Sequence, residues 1–406
     1  MTAAWREEPL GAVCQFINRG ISPAYLEHGG VAVLNQKCVR DHVVNFDLGR
    51  RHDAAAKKVT LDRFVRAGDV LVNSTGTGTL GRVAQLREEP PEPTTIDSHV
   101  TIVRPANGLF RPEFFGYALV AIEEKIQQGG EGCGGQTELS RSKLAETYRI
   151  RFPVDLKAQE RIVAILDEAF EGIATAKANA EKNLQNAREL FTHHREVMLA
   201  AQPGWREAPL AELCSIKHGY AFEGEFFSAA GEYVLLTPGS FFEAGGYRER
   251  GEKTKFFVGS IPKDYMLSEG DLLVAMTEQA AGLLGSPLLV PESHRFLHNQ
   301  RLGLVVGQAG VPWSNEFFFH AFNLMRVRQE IHAGASGAKV RHTSPGKIGL
   351  VRVPYPESVD EQRRIAAQLV DLSEECDRLV ATYERKLTAL DELKKSLLHQ
   401  AFSGQL

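Results

Sequence analysis

Hydrophobic and polar positions change their spacing twice along this 406-residue chain. Residues 1–155 and 202–357 contain short apolar runs separated by glycine and polar turn residues, which is typical of mixed α/β regions with many short strands. Residues 156–201 and 358–406 contain little glycine or proline, and their apolar positions recur at alternating three- and four-residue steps. The pattern predicts an α+β protein with two globular domains, each followed by a long helix.

The apolar positions of each predicted helix form one narrow stripe, called here the seam. Ser358 and Glu361 have the spacing of a capping box that starts the second helix. We expect the two helices to pack on each other as an antiparallel coiled coil, because the second helix must lead back toward the start of the first; two separate homodimeric coils are the alternative. The predicted seam residues are Ile162, Leu166, Ile173 and Leu190 in the first helix and Ile365, Leu369, Leu372, Leu379, Leu390 and Leu393 in the second, with Asn183 and His194 as polar register-setting positions.

The second half of the chain repeats the first. "WREEPLGAVC" at Trp5–Cys14 returns as "WREAPLAELC" at Trp205–Cys214, an offset of 200 residues. Three further pairs follow in the same order: "AGDVLV" and "EGDLLV", "FFGYAL" and "FFFHAF", and "IRFPVDLKAQERIVAIL" and "VRVPYPESVDEQRRIAAQL". A period near 200 residues is that of a duplicated domain, not of a solenoid unit. We therefore predict a tandem repeat with pseudo-twofold symmetry.

Composition limits the class of protein. No apolar stretch approaches the roughly 20 residues of a membrane span, and the N-terminus lacks the features of a signal peptide. Five scattered cysteines favour neither a disulfide framework nor a zinc site, so we expect a cytoplasmic protein. The net charge is −4, and residues 1–156 and 201–356 each balance, with 19 basic against 19 acidic and 15 against 15 side chains. Any nucleic-acid surface must therefore be a local patch.

With these features the chain resembles the specificity (S) subunit of a Type I restriction–modification system. The resemblance rests on the tandem halves, on the two helix entries quoted above, and on the terminal "LDELKKSLLHQAFSGQL". "GDVLVNSTGTGTLGRVA" (Gly68–Ala84) and "GGQTELSRSKLAETYRIRFP" (Gly134–Pro153) resemble segments of the family's target recognition domains. The second half departs more, with "AMTEQAAGLLGSP" in place of the glycine-rich loop.

The resemblance implies different roles for the globular domains and for the long helices. Residues 1–155 and 202–357 would be two target recognition domains, each reading one half of a bipartite, asymmetric site in double-stranded DNA. Residues 156–201 and 358–406 would be spacer helices that set the gap between the half-sites and dock two methyltransferase (M) subunits. S-adenosylmethionine would belong to those subunits, and motor–endonuclease (R) subunits would join them. This chain would have no catalytic residues, no metal and no cofactor of its own.

Candidate DNA-contacting residues follow from glycine-rich and polar segments at matching places in the halves. In the first half they are Ser74, Thr75, Thr77, Thr79, Arg82, His99, Gln136, Arg141 and Lys143. In the second half they are Thr277, Gln279, Asn299, Gln300, Arg301, Lys339, Arg341 and His342. Amides, hydroxyls and cations of this kind bind base edges and phosphates. For each segment, a surface loop with solvated charges is the alternative.

Two other functions stay open. "GTGTLG" (Gly76–Gly81) matches G-x-G-x-x-G, which would suit a duplicated nucleotide-binding enzyme if a helix followed the loop. However, "RVAQL" has the pattern of a strand. The other possibility is a coiled-coil adaptor whose globular halves bind proteins.

Overall fold

The computed structural model describes residues 4–130, 138–279 and 281–406. Two helices dominate it, Leu156–Met198 with 43 residues and Val359–Ser403 with 45, which confirms the two predicted long helices. By contacts the chain divides into unit 1, residues 1–181 and 385–406, and unit 2, residues 182–384. Each long helix therefore contributes one segment to each unit. Among the described residues, no helix combines the length and the hydropathy that a membrane span requires.

Unit 1 contains two four-stranded sheets. In the first sheet the strands lie in the order Cys14–Arg19, Val100–Pro105, Val70–Asn73 and Val83–Gln85, all antiparallel. The second sheet has the order Thr94–Ile96, Val31–Leu34, Arg50–His52 and Tyr25–Leu26, and its first pair is parallel. Two further antiparallel pairs join Trp5–Pro9 with Arg149–Pro153, from the two ends of the globular part, and Val39–Arg40 with Val43–Val44 in a short hairpin. The shorter helices are Leu10–Val13, Pro112–Ala121, Glu123–Gln128 and Arg141–Glu146.

Unit 2 repeats both sheets strand for strand. Its first sheet has the order Cys214–His218, Leu302–Gly307, Leu272–Ala275 and Pro287–Leu289. Its second has Phe227–Ser228, Phe256–Phe257, Tyr233–Leu235 and Phe296–Leu297, again with one parallel pair, at the last two strands. Arg206–Pro209 pairs with Arg352–Tyr355, and Thr277–Glu278 pairs with Arg341–His342. The shorter helices are Leu210–Leu213, Asn315–Phe322, Met325–Ala333 and Pro345–Gly349.

The repeated sequence segments occupy equivalent positions in the two units. The "GDVLV" and "GDLLV" segments form the third strand of the first sheet in each unit. The "FF" segments lie within the helices Pro112–Ala121 and Asn315–Phe322. Their buried phenylalanines pack against that sheet: Phe114, Phe115, Phe317 and Phe318. Burying such rings stabilises each unit by about 2–3 kcal/mol per side chain.

A glutamine explains one of the repeated landmarks. Gln159 is fully buried; its Nε2 donates to Pro153 O at 2.9 Å, and its Oε1 accepts from Arg111 N at 2.8 Å. In unit 2, Gln362 Nε2 donates to Pro356 O at 2.9 Å and to Pro312 O at 3.1 Å. The side chain therefore ties the start of each long helix to the strand before it. At the second helix, Ser358 also caps the Glu361 N–H, at 3.3 Å, as the capping-box spacing predicts.

Within each unit the two long helices run antiparallel. In unit 1, Ile162 and Leu166 share a core with Leu398 and Ala401, whereas farther along, Lys177 pairs with Asp391 at 2.7 Å. In unit 2, Arg188 pairs with Glu384 at 2.9 Å, and Leu199 lies in one core with Ile365 and Leu369. The order of the partners reverses along the second helix in both cases.

The structure corrects the seam at several predicted positions. Leu379 and Leu393 are 38% and 46% exposed, and Asn183 and His194 are also exposed. In the first helix the buried residues fall one position later, at Leu184 and Arg195, so that Ile162, Ile173, Leu184 and Arg195 recur every 11 residues. An α-helix has 3.6 residues per turn, so a strict heptad drifts by about 20° in every seven residues. The remaining predicted seam residues are buried or half-buried: Ile162, Leu166, Ile173, Leu190, Ile365, Leu369, Leu372 and Leu390.

Candidate nucleic-acid interface

The glycine-rich loop of unit 1 is a tight turn between two strands. Thr79 N and Leu80 N donate to Gly76 O at 3.1 and 3.0 Å, and Gly76 has a φ of +105°. A Cβ at Gly81 would lie 2.7 Å from the backbone of Gln127, so this position needs glycine. The strand Val83–Gln85 follows directly, as its sequence pattern predicts. A nucleotide-binding loop would need a helix N-terminus at this point, so the structure does not favour that alternative.

Three segments of unit 1 meet beside this turn. Thr75 Oγ1 and His99 Nδ1 share a hydrogen bond of 2.7 Å, and Thr75 forms a backbone bridge with Glu138. Leu139 N donates to Ser74 O at 2.8 Å. His99 is exposed, and its Nε2 has no partner among the described residues. The imidazole is therefore fixed on one side and free on the other.

An arginine that sequence reasoning missed holds this junction together. Arg19 Nη1 pairs with Glu138 at 2.5 Å, and its Nη2 donates to Leu139 O at 2.7 Å. Arg63 in turn donates to Gly20 O at 2.8 Å and to Arg19 O. Neither arginine stands in a glycine-rich or basic cluster, so the sequence carries no signal for this positioning role.

Unit 2 has a second threonine–histidine pair. Thr277 lies 202 residues after Thr75, and its Oγ1 shares a hydrogen bond of 3.1 Å with His342 Nδ1. His342 is exposed and comes from the closing segment of the domain, opposite Thr277 in the short two-stranded ladder. A threonine at the equivalent position thus supports an exposed imidazole in both units.

The turns before the equivalent strands Val100–Pro105 and Leu302–Gly307 also correspond. Asp97 Oδ1 accepts from His99 N at 2.9 Å, and Asn299 Oδ1 accepts from Arg301 N at 2.9 Å, 202 residues later. Asp97 is 3% exposed and burial raises its pKa, whereas the amide of Asn299 makes the same bond without a charge. Arg301 consequently takes the place of His99 in unit 2, and it is exposed.

The remaining predicted site residues fall into three groups. Thr77, Arg141, Gln279, Gln300 and Lys339 are exposed. Thr79, Arg82, Lys143 and Arg341 are half-buried; Thr79 Oγ1 donates to Gln36 Oε1 and Thr75 O, and Arg82 Nη2 to Gly78 O. Ser74, Thr277 and Asn299 are buried, and Ser74 Oγ lies 2.5 Å from Thr101 Oγ1. Gln136 lies outside the described residues.

Buried Ser74 serves the structure of the turn, since its hydroxyl is used inside the sheet. Arg341 also faces inward: its Nη2 donates to His332 O, and its Nη1 lies 3.5 Å from Glu278 Oε1. The exposed predicted residues carry hydroxyl, amide and cationic groups. They can donate to and accept from base edges and can donate to phosphates. The described residues contain no group of three or more His, Cys, Asp or Glu side chains placed to hold a metal ion.

Comparisons with known proteins agree with this architecture. No family model matches the chain. The Type I restriction enzyme EcoBI specificity subunit of Escherichia coli is 24% identical over 222 residues, which cover 54% of this chain and 43% of that protein. The match thus spans less than half of that relative. The crystal structure of the HsdS subunit from Thermoanaerobacter tengcongensis matches 99% of this chain and 97% of its own, with a TM-score of 0.65 and 18% identity.

The chain has the fold of a Type I specificity subunit. A second solved chain, from work on complex assembly and conformational transition of the type I R-M system, gives a TM-score of 0.75 over 99% of this chain and 98% of its own, at 17% identity. The predicted fold class, two α+β domains with two long helices, is confirmed by these two structures, and the resemblance stated from the sequence is confirmed by them and by the curated relative.

Proposed function

We propose that this chain is the DNA-sequence-reading subunit of a Type I restriction–modification complex. Each unit would read one half of a bipartite, asymmetric site in double-stranded DNA. The two long helices would set the spacer and dock two methyltransferase subunits that carry S-adenosylmethionine. Motor–endonuclease subunits would complete the assembly, which would act in the cytoplasm. This chain would recognise DNA without catalysing a reaction.

The observation that carries this proposal is that equivalent threonines, one in each unit, each hold an exposed imidazole, although the two histidines come from different segments. In Thr75–His99 and Thr277–His342 one imidazole nitrogen is fixed, and the other has no partner among the described residues. A neutral imidazole supplies one donor or one acceptor at a fixed place, which suits the edge of a base. Equivalent threonines that each hold an exposed imidazole favour a shared DNA-reading role over an adaptor that binds proteins.

The charge balance supports a cooperative mode of binding. With equal numbers of acidic and basic side chains in residues 1–156 and in residues 201–356, and a net charge of −4 overall, the chain alone neutralises few phosphates. We expect the purified chain to bind DNA weakly, with most phosphate contacts supplied by its methyltransferase partners. Steep salt dependence of DNA binding by the isolated chain would contradict this expectation.

The decisive experiment maps methylated adenines in the source organism after replacing the gene with variants. We expect His99→Ala to change or relax one half-site and His342→Ala the other, by about tenfold in discrimination at one base position. His28→Ala, at an exposed histidine of unit 1 that has no part in the turn, is the control. If both variants alter the same half-site, or if neither changes the methylated sequence, the proposed division of labour is wrong.

A further inference from the structure

The loop that follows Thr277 in unit 2 is built around one buried carboxylate. Glu278 is 2% exposed, and its Oε2 accepts hydrogen bonds from three consecutive backbone N–H groups: Gly282 at 3.0 Å, Leu283 at 3.1 Å and Leu284 at 3.0 Å. Successive N–H groups that point at one oxygen form an anion-binding nest. Here the anion is the protein's own side chain.

An arginine holds the same loop from its other side. Arg328 Nε donates to Leu284 O at 3.1 Å, and its Nη2 donates to Gly282 O. The guanidinium also reaches Glu243 O at 3.0 Å, and burial lowers its pKa to about 10. The backbone N–H groups of residues 282–284 therefore donate to Glu278, and the carbonyls of Gly282 and Leu284 accept from Arg328.

The second oxygen of Glu278 faces the closing segment of the domain. Glu278 Oε1 makes no hydrogen bond among the described residues, but it lies 3.5 Å from both Arg341 Nη1 and His332 Nδ1. Arg341 is directly opposite Glu278 in the short ladder, beside His342. One carboxylate thus links the loop after Thr277 with the segment that supplies the imidazole of unit 2.

Unit 1 closes the equivalent turn without a charged side chain. The position 202 residues before Glu278 is Gly76, whose own carbonyl accepts from Thr79 N and Leu80 N. The turn in unit 1 is therefore closed by its backbone, and the longer loop in unit 2 by a side chain. This difference explains physically why the glycine-rich pattern is lost in "MTEQAAGLLG".

We infer that Glu278 is a positioning residue for sequence reading by unit 2, because it fixes the turn at residues 282–284 and holds Arg341 inward. The side chains left outside, Gln279 and His342, are then presented to DNA in one arrangement. This inference rests on the proposed function. It assigns to Glu278 no contact with DNA.

The test is Glu278→Gln in the full chain, in the source organism, with methylated adenines mapped genome-wide. The amide keeps the shape of the side chain, but it brings N–H donors against the N–H groups of the loop or against Arg341. We expect about tenfold weaker discrimination at one or more positions of the second half-site, the size of one lost base-edge contact, with the first half-site unchanged. Glu252→Gln, an exposed glutamate of unit 2, should leave the map as it is.

Glu278→Asp separates positioning from folding. It keeps the charge on a side chain one methylene shorter, so we expect the wild-type second half-site at reduced methylation. The inference is overturned if Glu278→Gln methylates the wild-type second half-site to the wild-type extent. It is also overturned if both variants lose all methylation together with a lowered melting temperature, since Glu278 would then only stabilise the fold. If the wild-type chain directs methylation to no bipartite site, the proposed function itself fails.

Discussion

His320 should make unit 2 less stable in mild acid. It lies in the helix Asn315–Phe322, is 6% exposed, and has an Nδ1 with no hydrogen bond among the described residues. Burial lowers its pKa to about 4, and the positive charge of Arg195 acts in the same direction. Arg195 is itself 6% exposed and makes no ion pair within the described chain, so a protonated His320 would place a second buried charge beside it.

The size of the effect follows from the two protonation equilibria. A histidine in the unfolded chain has a pKa near 6.5. Between about pH 6.5 and pH 4, His320 is therefore protonated in the unfolded chain but not in the folded chain. The folded pKa is depressed, so stability is complete above pH 6.5 and falls as the pH drops through this window. The full loss is about 3 kcal/mol, and about 1.4 kcal/mol of it is already reached at pH 5.5.

The perturbation is His320→Phe, a ring of similar size that cannot take up a proton. Burial also lowers the pKa of His298 in unit 2 to about 4 and lowers the pKa of His332, so the variant should keep part of the wild-type loss of stability between pH 7.5 and pH 5.5. The free energy of unfolding of the variant, relative to that of the wild type, should be higher by about 1.4 kcal/mol at pH 5.5 than at pH 7.5.

The assay is guanidinium unfolding followed by tryptophan fluorescence in a Trp5→Phe background. The two remaining tryptophans, Trp205 and Trp313, both pack against the core of unit 2 and therefore report on that unit. His193→Gln, at an exposed histidine on the same helix as Arg195, is the control and should keep the wild-type pH dependence. An unchanged pH dependence in His320→Phe would refute the reasoning.

Three further predictions concern the framework. Asp69→Ala leaves Arg104 buried without the carboxylate that accepts two 2.7 Å hydrogen bonds from it, and should cost unit 1 about 3–5 kcal/mol in chemical unfolding. Gln362→Ala should cost unit 2 about 1–3 kcal/mol, read as a lowered unfolding midpoint, because Pro312 and Pro356 lose their donor. Leu398→Ala, in the core of unit 1, should lower the free energy of unfolding by about 2–5 kcal/mol, whereas Leu393→Ala, at a half-exposed position, should lower it by less than about 1 kcal/mol. Equal losses in the two variants would support the heptad seam that the sequence predicts.

The repeated landmarks were sufficient to predict the fold because each performs a structural task that both halves share. Gln159 and Gln362 tie a long helix to the preceding strand, and the phenylalanine pairs fill the space beneath equivalent sheets. Tasks set by backbone geometry leave the same residues at the same spacing. The seam was harder to place, because periods of 3.5 and 3.6 residues separate only after several turns, beyond Ala180 in the first helix.

The candidate site was only partly predictable, because sequence does not show which way a charged side chain points. Arg301 and Arg341 look equivalent as cations near polar segments, yet Arg301 is exposed and Arg341 turns toward Glu278 and His332. Glu278 itself gave no signal, since a lone carboxylate in a polar loop normally faces water.

The departure of the second half from the family pattern therefore has a physical meaning. A turn closed by the carbonyl of Gly76 depends on glycine at positive φ, so the loop of unit 1 can change its polar residues but not its glycines. A turn closed by Glu278 adds a further requirement: Gly282 also has a positive φ, of +113°, and in addition the carboxylate and Arg328 must both be kept. Moving the loop of unit 2 alone into unit 1 would separate it from Arg328. We expect such a graft to need Glu278, Arg328 and the loop together.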